Sequence, residues 1–354
     1  MSGLSPFPFK RPTPVTAAAL VDWFEAIMRD GQEAHLRRFG ALEYAKALAD
    51  GGTLEKELRL PGEDIATSIQ ISAGDYAVMR TWRRTKIVYD VDPTLMRSLA
   101  EMDTTDVLPG DIMRQLPHPN PMFVFTDGHP VLHKDGVPGV IRAMTVTGRR
   151  ADNTMCSTHD EEATNYQLTF NADLLNDDGK VKDLDSVRIS FDLADTSFTI
   201  NKLVDSIIDG YAWEPLLRHN TTEEKKRQYL VNLAKFGIAH LLYVCSDKAD
   251  AERRPVGRKP TKKGQRPPKP LQMHQLGYRV GPAIKAAQVR YIKQTKTDAS
   301  TGRSVAPHIR RAHLHTFAHG KGRALRKVKW LPPIFVNSNG DQFTAEGTIV
   351  RVTS

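Results

Sequence analysis

The chain has 354 residues, 40% of them hydrophobic and 26% charged, enough to bury the core of one large domain or two modest ones. Its two cysteines, Cys156 and Cys245, exclude a disulfide framework and a Cys-x-x-Cys zinc module and point to a reducing compartment. The formal charge of +9 is unevenly placed, because residues 253–340 hold 21 Lys or Arg against a single acid, Asp298, leaving the rest of the chain net acidic. Such asymmetry is the electrostatic footprint of a polyanion binder. No apolar run reaches the roughly 18 residues of a membrane span. The opening "MSGLSPFPFKRPTPV" lacks the basic and apolar segments of a signal peptide, so a cytoplasmic protein without membrane contact is expected.

In chain order, "TAAALVDWFEAIMRD" sets Leu20, Val21, Phe24, Ile27 and Met28 at helical spacing, with Gly31 as a stop. "QEAHLRRFGALEYAKALAD" predicts a second helix, ended by Gly51 and Gly52. Together they define a helical N-terminal region, residues 1–75. Residues 76–102 place Trp82 among Arg80, Arg83 and Arg84, either a base-stacking cluster or a solvated helix face. They end in a helical pattern around Leu95, Leu99 and Met102.

The period then changes. "PMFVFT", "GVIRAMTVTG", "NYQLTFN" and "VRISFDL" alternate or run apolar between turn sequences, which predicts an antiparallel sheet. His118, His129, His133 and His159 fall in or near its loops without metal spacing and read as surface histidines. The carboxylates of "THDEE", residues 158–162, read as solvated rather than as a cation site. A long buried helix follows: Thr221 and Glu224 match a capping box, and Leu230, Leu233, Ala234, Gly237, Ile238, Leu241, Leu242 and Cys245 follow one face. Cys245 on that stripe is packing. Residues 76–247 are thus an α+β core domain. Residues 248–274, with nine Lys or Arg and five Pro, are expected to be a basic linker or loop. A basic amphipathic helix over "GYRVGPAIKAAQVRYIKQ" opens the basic C-terminal region, residues 275–354.

The densest cationic stretch is "PHIRRAHLHTFAHGKGRALRKVKWLPP", with seven Lys or Arg and four His in 27 residues. It reads as a hairpin: a strand from Ile309 to Ala318, a loop at Gly320 and Gly322 carrying Lys321 and Arg323, and a return strand from Leu325 to Leu331. Alternation puts Arg311, His313 and His315 on one face, joined by Lys327 and Lys329, and Ala312, Leu314 and Ala318 on the other. Arg310 falls on the packing side by the same parity. Two imidazoles beside cations have the parts of metal-free RNA cleavage, one removing the 2′-hydroxyl proton and one protonating the leaving oxygen. The same face equally suits simple phosphate binding. A metal shared by His313 and His315 would need a third ligand, so no metal or other cofactor is expected.

Several blocks resemble, in order, a family of type V-A anti-CRISPR proteins of phages and bacterial mobile elements. They are "TTDVLPGDIMRQLPHPNPMFVF", "HLLYVCSDKADAE", "LGYRVGPAIKAA", "PHIRRAHLHTF" and "KVKWLPPIFVN". The resemblance implies a mobile-element inhibitor acting in the bacterial cytoplasm, one that lowers a CRISPR effector messenger RNA in a translation-dependent way through the nascent polypeptide or ribosome. It points to Arg310, Arg311, His313 and His315, with Trp330, Pro332 and Pro333 on the following strand, and departs from the family where Leu314 replaces a frequent aromatic. The expected function is RNA or ribosome binding that promotes loss of a transcript. The alternatives are a stoichiometric protein-binding inhibitor and a metal-independent ribonuclease using His313 and His315. Residues 1–75 resemble nothing recognisable.

Overall fold

The computed structural model describes residues 16–50, 63–102, 110–133, 136–176, 178, 181–194, 199–210, 222–247, 249–256, 270–297, 308–323, 325–336, 342–345 and 347–349. Four helices come first: α1 (Ala17–Ala26), α2 (Glu33–Arg38), α3 (Leu42–Asp50) and α4 (Glu63–Arg83). Thr16 caps α1 by accepting from the Ala19 amide at 3.2 Å. Gly31 does not stop the helix, which instead passes through a π-helical stretch, Ile27–Gln32, into α2. The break falls at Gly40, whose φ of +66° is the left-handed conformation that ends helices, so the expected second helix is two. α4 runs through the boundary expected at residue 75.

Next come β1 (Ile87–Val91), α5 (Pro93–Ala100), β2 (Met122–Leu132), β3 (Pro138–Arg149), β4 (Met155–Cys156), β5 (Asn165–Leu175) and β6 (Val181–Asp192). α6 (Ile200–Gly210), α7 (Glu223–Cys245), β7 (Ala251–Arg254), β8 (Gln272–Leu276) and α8 (Val280–Thr297) follow. The main sheet has the order β6-β5-β3-β2-β1-β8-β7, with β4 beside β3. It is mixed rather than wholly antiparallel, because β1 runs parallel to both β2 and β8. Both faces are covered: Tyr89, Phe123, Met144, Leu168 and Phe170 pack against α7, while Val88, Met122, Val124 and Ala143 pack against α1 and the end of α4. A central strand buried on both faces shows no alternation, which is why β1, apolar at every position but Asp90, carries little sequence signature.

α7 is the long buried helix the apolar stripe predicts, capped by Thr222, whose hydroxyl accepts from the Lys225 amide; Thr221 lies outside the described residues. A Cβ at Gly237 would come within 2.6 Å of Phe170 and 2.7 Å of Leu168, so this glycine lets helix and sheet approach. Cys245 is buried in the same cluster, and burial pushes its thiol well above the ordinary range.

The stretch expected to be a linker contributes β7 and β8 to the main sheet, and its middle, residues 257–269, lies outside the described residues. Exposed β7 is an edge strand whose charges face solvent, which reconciles its composition with sheet pairing. Asp250, just before β7, is buried and accepts from the amides of Arg279 and Val280 at 2.7 and 2.8 Å and from Arg279 Nε at 3.0 Å. It thereby anchors the start of α8.

The arginines around Trp82 are not a stacking cluster; Arg84 is exposed and Arg80 and Arg83 half-buried, and each is held in an ion pair. Trp82 is fully buried and donates from Nε1 to the Ile87 carbonyl at 2.9 Å. Arg80 and Arg84 hold Asp50 at the end of α3, and Arg83 and Lys86 hold Glu25 of α1. The histidines of the sheet are likewise partnered. His129 stacks on Phe236 at 4.3 Å, His133 pairs with Asp185 at 3.0 Å, His118 shares a 2.6 Å bond with the Tyr89 hydroxyl, and His159 bonds the Leu116 carbonyl at 2.7 Å. In the loop after β4, Asp160 and Glu162 are paired with Arg150.

Burial pushes the imidazoles of His129 and His274 down to about 4 and that of His240 to about 3, from an ordinary value of 6.5. Between these values the unfolded chain binds more protons than the folded one, so stability falls as pH drops from about 6.5 towards 4. Asp90, raised by burial to about 6, works in the opposite direction but is one group against three. The urea midpoint is expected to decline across this window, and the His240→Gln, His274→Gln double variant to show a shallower decline.

Candidate nucleic-acid interface

The basic C-terminal region forms two small sheets. One contains β9 (His308–Arg310); the other is the hairpin of β10 (His313–His319) and β11 (Leu325–Leu331). The first is completed by β12 (Ile334–Val336), β13 (Gln342–Thr344) and β14 (Gly347–Ile349). The strand expected from Ile309 to Ala318 is therefore split. At the break Ala312 is only 2% exposed, turned into the main core, and Arg310 pairs with Ile334 of β12 rather than joining the hairpin.

Within the hairpin, His315 lies opposite Lys329 and Phe317 opposite Lys327. Side chains on paired strands alternate together, so His313, His315, Phe317, Lys327 and Lys329 share one face. All five are exposed, whereas Val328 and Trp330 of the opposite face are buried. Gly320 and Gly322, with φ of +77° and +67°, make the connection, in which Lys321 is exposed; the Arg323 side chain lies outside the described set. Arg310 and Arg311 are exposed beside the hairpin, so the parity that placed Arg310 inward fails with the strand on which it relied.

Trp330 does not belong to the exposed set. It is 8% exposed and packs edge-on against Tyr243 of α7 at 5.1 Å between ring centroids, which leaves no ring face for a base. The hairpin is held there by a second contact: the Asp247 amide, just past α7, donates to the Val328 carbonyl at 2.8 Å. The Asp247 carboxylate meets Lys327 Nζ at 2.9 Å. Among the described residues, Arg310, Arg311, Lys321 and Lys329 have no carboxylate partner, so their charge is directed to solvent.

His313 Nδ1 lies 3.5 Å from the Arg311 carbonyl, too long to fix its ring strongly. His315 meets Phe317 edge-to-face at 4.3 Å. Among the described residues no three His, Cys, Asp or Glu side chains converge on a metal position. The face can therefore attract phosphate, offer an aromatic ring, and present two imidazoles of ordinary solvent access. Sequence reasoning missed Phe317, although its parity with His313 and His315 was available. No described helix is long and apolar enough to cross a membrane.

Trp330→Ala is expected to destabilise the protein by about 3–5 kcal/mol, as large-to-small changes of a buried indole do. Lys329→Ala on the opposite face should stay within about 0.5 kcal/mol. Urea unfolding of the two variants checks both.

With this geometry in view, the chain can be set beside known proteins. No curated protein matches it. Among solved structures it is similar to the crystal structure of AcrVA2, with a TM-score of 0.49 and 19% identity over 90% of this chain and 98% of that one. The family model for AcrVA2-like proteins, described as the anti-CRISPR type V subtype A2 family, matches residues 89–338, from β1 through the hairpin to β12. That match covers most of the main sheet and the whole cationic face, and the chain belongs to the AcrVA2-like anti-CRISPR family.

Proposed function

We propose that this anti-CRISPR-family protein is a mobile-element inhibitor that binds RNA, as messenger or within a translating ribosome, and promotes translation-dependent loss of a target transcript in the bacterial cytoplasm. The observation that carries the reading is the outward cationic face of the β10–β11 hairpin, flanked by Arg310 and Arg311, whose described charges other than Lys327 are left without carboxylates. Cations held away from acids on a surface attract phosphate by releasing its condensed counterions. The net acidic remainder of the chain leaves other surfaces for a protein partner such as a nascent polypeptide.

A ribonuclease reading has one observation in its favour, the exposure of His313 and His315 on one face with Lys329 across from His315. In that reading one imidazole takes the 2′-hydroxyl proton, the other protonates the leaving oxygen, and Lys329 steadies the phosphorane. An adaptor needs only the cations. The two readings separate on a single pair of substitutions.

The Arg310→Glu, Arg311→Glu, Lys329→Glu triple variant is expected to bind RNA more than tenfold more weakly. Its log–log salt dependence should be shallower by about two units, from three lost phosphate contacts on a single strand. Equal binding by wild type and variant across salt concentrations would reject the RNA-binding reading. The His313→Ala, His315→Ala variant is expected to retain RNA binding, and loss of transcript depletion in that variant would favour cleavage over recruitment.

A further inference from the structure

We propose that Phe317 is a base-stacking platform that directs the hairpin to single-stranded rather than duplex RNA. The inference rests on the RNA-binding reading above and adds to it the strandedness of the ligand and the residue that senses it.

Phe317 is 42% exposed, the one exposed large aromatic among the described residues. It stands on the solvent face of a hairpin whose other face is closed by Val328 and Trp330, so packing does not account for its position. An exposed phenyl ring on a two-stranded hairpin keeps apolar surface in water that a polar residue at the same parity would not. The ring is also held in place. His315, two residues earlier, meets it at 4.3 Å and 73° between planes, and Lys327 lies directly opposite in register. Beneath, Trp330 against Tyr243 and the Asp247 amide on the Val328 carbonyl fix the hairpin to the end of α7. A ring fixed before binding loses little freedom when a base settles on it.

The chemistry around the ring defines the ligand. Lys329, Arg310 and Arg311 provide sequence-independent attraction for a phosphate backbone, which duplex and single strand share. An aromatic face adds to this only when a base is unstacked and can leave its neighbours. In an A-form duplex the base faces are occupied by stacking and the ring finds none. His313, His315 and Phe317 stand two residues apart along one strand, so imidazole and phenyl rings form a short row beside the cations. Such a row of rings and cations is the arrangement by which single strands are held without base-specific hydrogen bonds.

The test measures affinity of the full chain for a 20-nucleotide uridine oligomer and for an RNA duplex of equal length, with wild type, Phe317→Ala and Phe317→Trp. Phe317→Ala is expected to lose roughly 5- to 150-fold in affinity for the single strand, the range for removal of one stacked base, with an unchanged salt slope. Its duplex affinity should change less than about twofold, since no phosphate contact is removed. Phe317→Trp should retain single-strand affinity, and its indole fluorescence should be quenched by the uridine oligomer and not by the duplex. An unchanged thermal midpoint in both variants shows that the hairpin is intact. If Phe317→Ala binds both RNAs as wild type does, or weakens both equally, the stacking role is overturned while RNA binding stands. If it keeps RNA affinity and instead loses capture of a nascent-chain complex, the ring is a protein contact and the inference fails. Failure of wild type to bind either RNA removes both this inference and the reading beneath it.

Discussion

The docking of the β10–β11 hairpin on the end of α7 is the constraint from which the rest of the site follows. Trp330 closes on Tyr243, and the Asp247 amide caps the Val328 carbonyl, so one face of the hairpin is committed to the core. Because strand side chains alternate, committing one face presents His313, His315, Phe317 and Lys329 to solvent together. A two-stranded hairpin alone is marginal in water. Here the buried helix supplies the third layer, and the C-terminal region is continuous with the main core through Ala312, Val328, Trp330, Phe335 and Phe343.

The net acidic front of the chain does not smother this face, for a reason visible in its ion pairs. Many of its carboxylates are taken up locally: Asp50 by Arg80 and Arg84, Glu25 by Arg83 and Lys86, and Asp75 by Arg188. Asp160 and Glu162 are held by Arg150, and Asp173 by Arg142. Pairs between helices and strands of the same half tie α1, α3 and α4 to one another and to the sheet. The half-exposed pairs of Asp50 contribute little each in free energy, whereas the Asp173 and Asp75 carboxylates are buried and depend on their arginines; all of them set where charge is neutralised. Among the described residues Asp247 is the acid that reaches the hairpin, and it meets Lys327 at the end of α7, where a cation also suits the helix dipole.

The histidines show how far residue type alone can mislead. Spacing without a metal pattern suggested solvent-exposed rings, but His129, His133 and His118 are held by Phe236, Asp185 and Tyr89. Each partner comes from a distant part of the chain. The arginines beside Trp82 behave in the same way, since their acids lie in α1 and at the end of α3. In contrast, the four middle strands, α7 and the glycine turn of the hairpin depend on neighbours within a few residues and were legible from period and turn chemistry.

By itself the sequence determined the α+β class, the strands β2, β3, β5 and β6, the long helix, and the alternation that separates Leu314 from His313 and His315. These are local properties, set by side-chain period and backbone preference. It also carried enough ordered blocks to reveal the family. Tertiary structure alone decided that β1 and β8 run parallel inside the sheet, that the two ends of the expected linker pair into that sheet with basic β7 at its edge, and that the cationic strand breaks at Ala312. It also turned Trp330 inward and left Phe317 outward. Which face of a short strand is buried depends on what arrives to cover it, and here the cover is a helix that ends some seventy residues earlier in the chain.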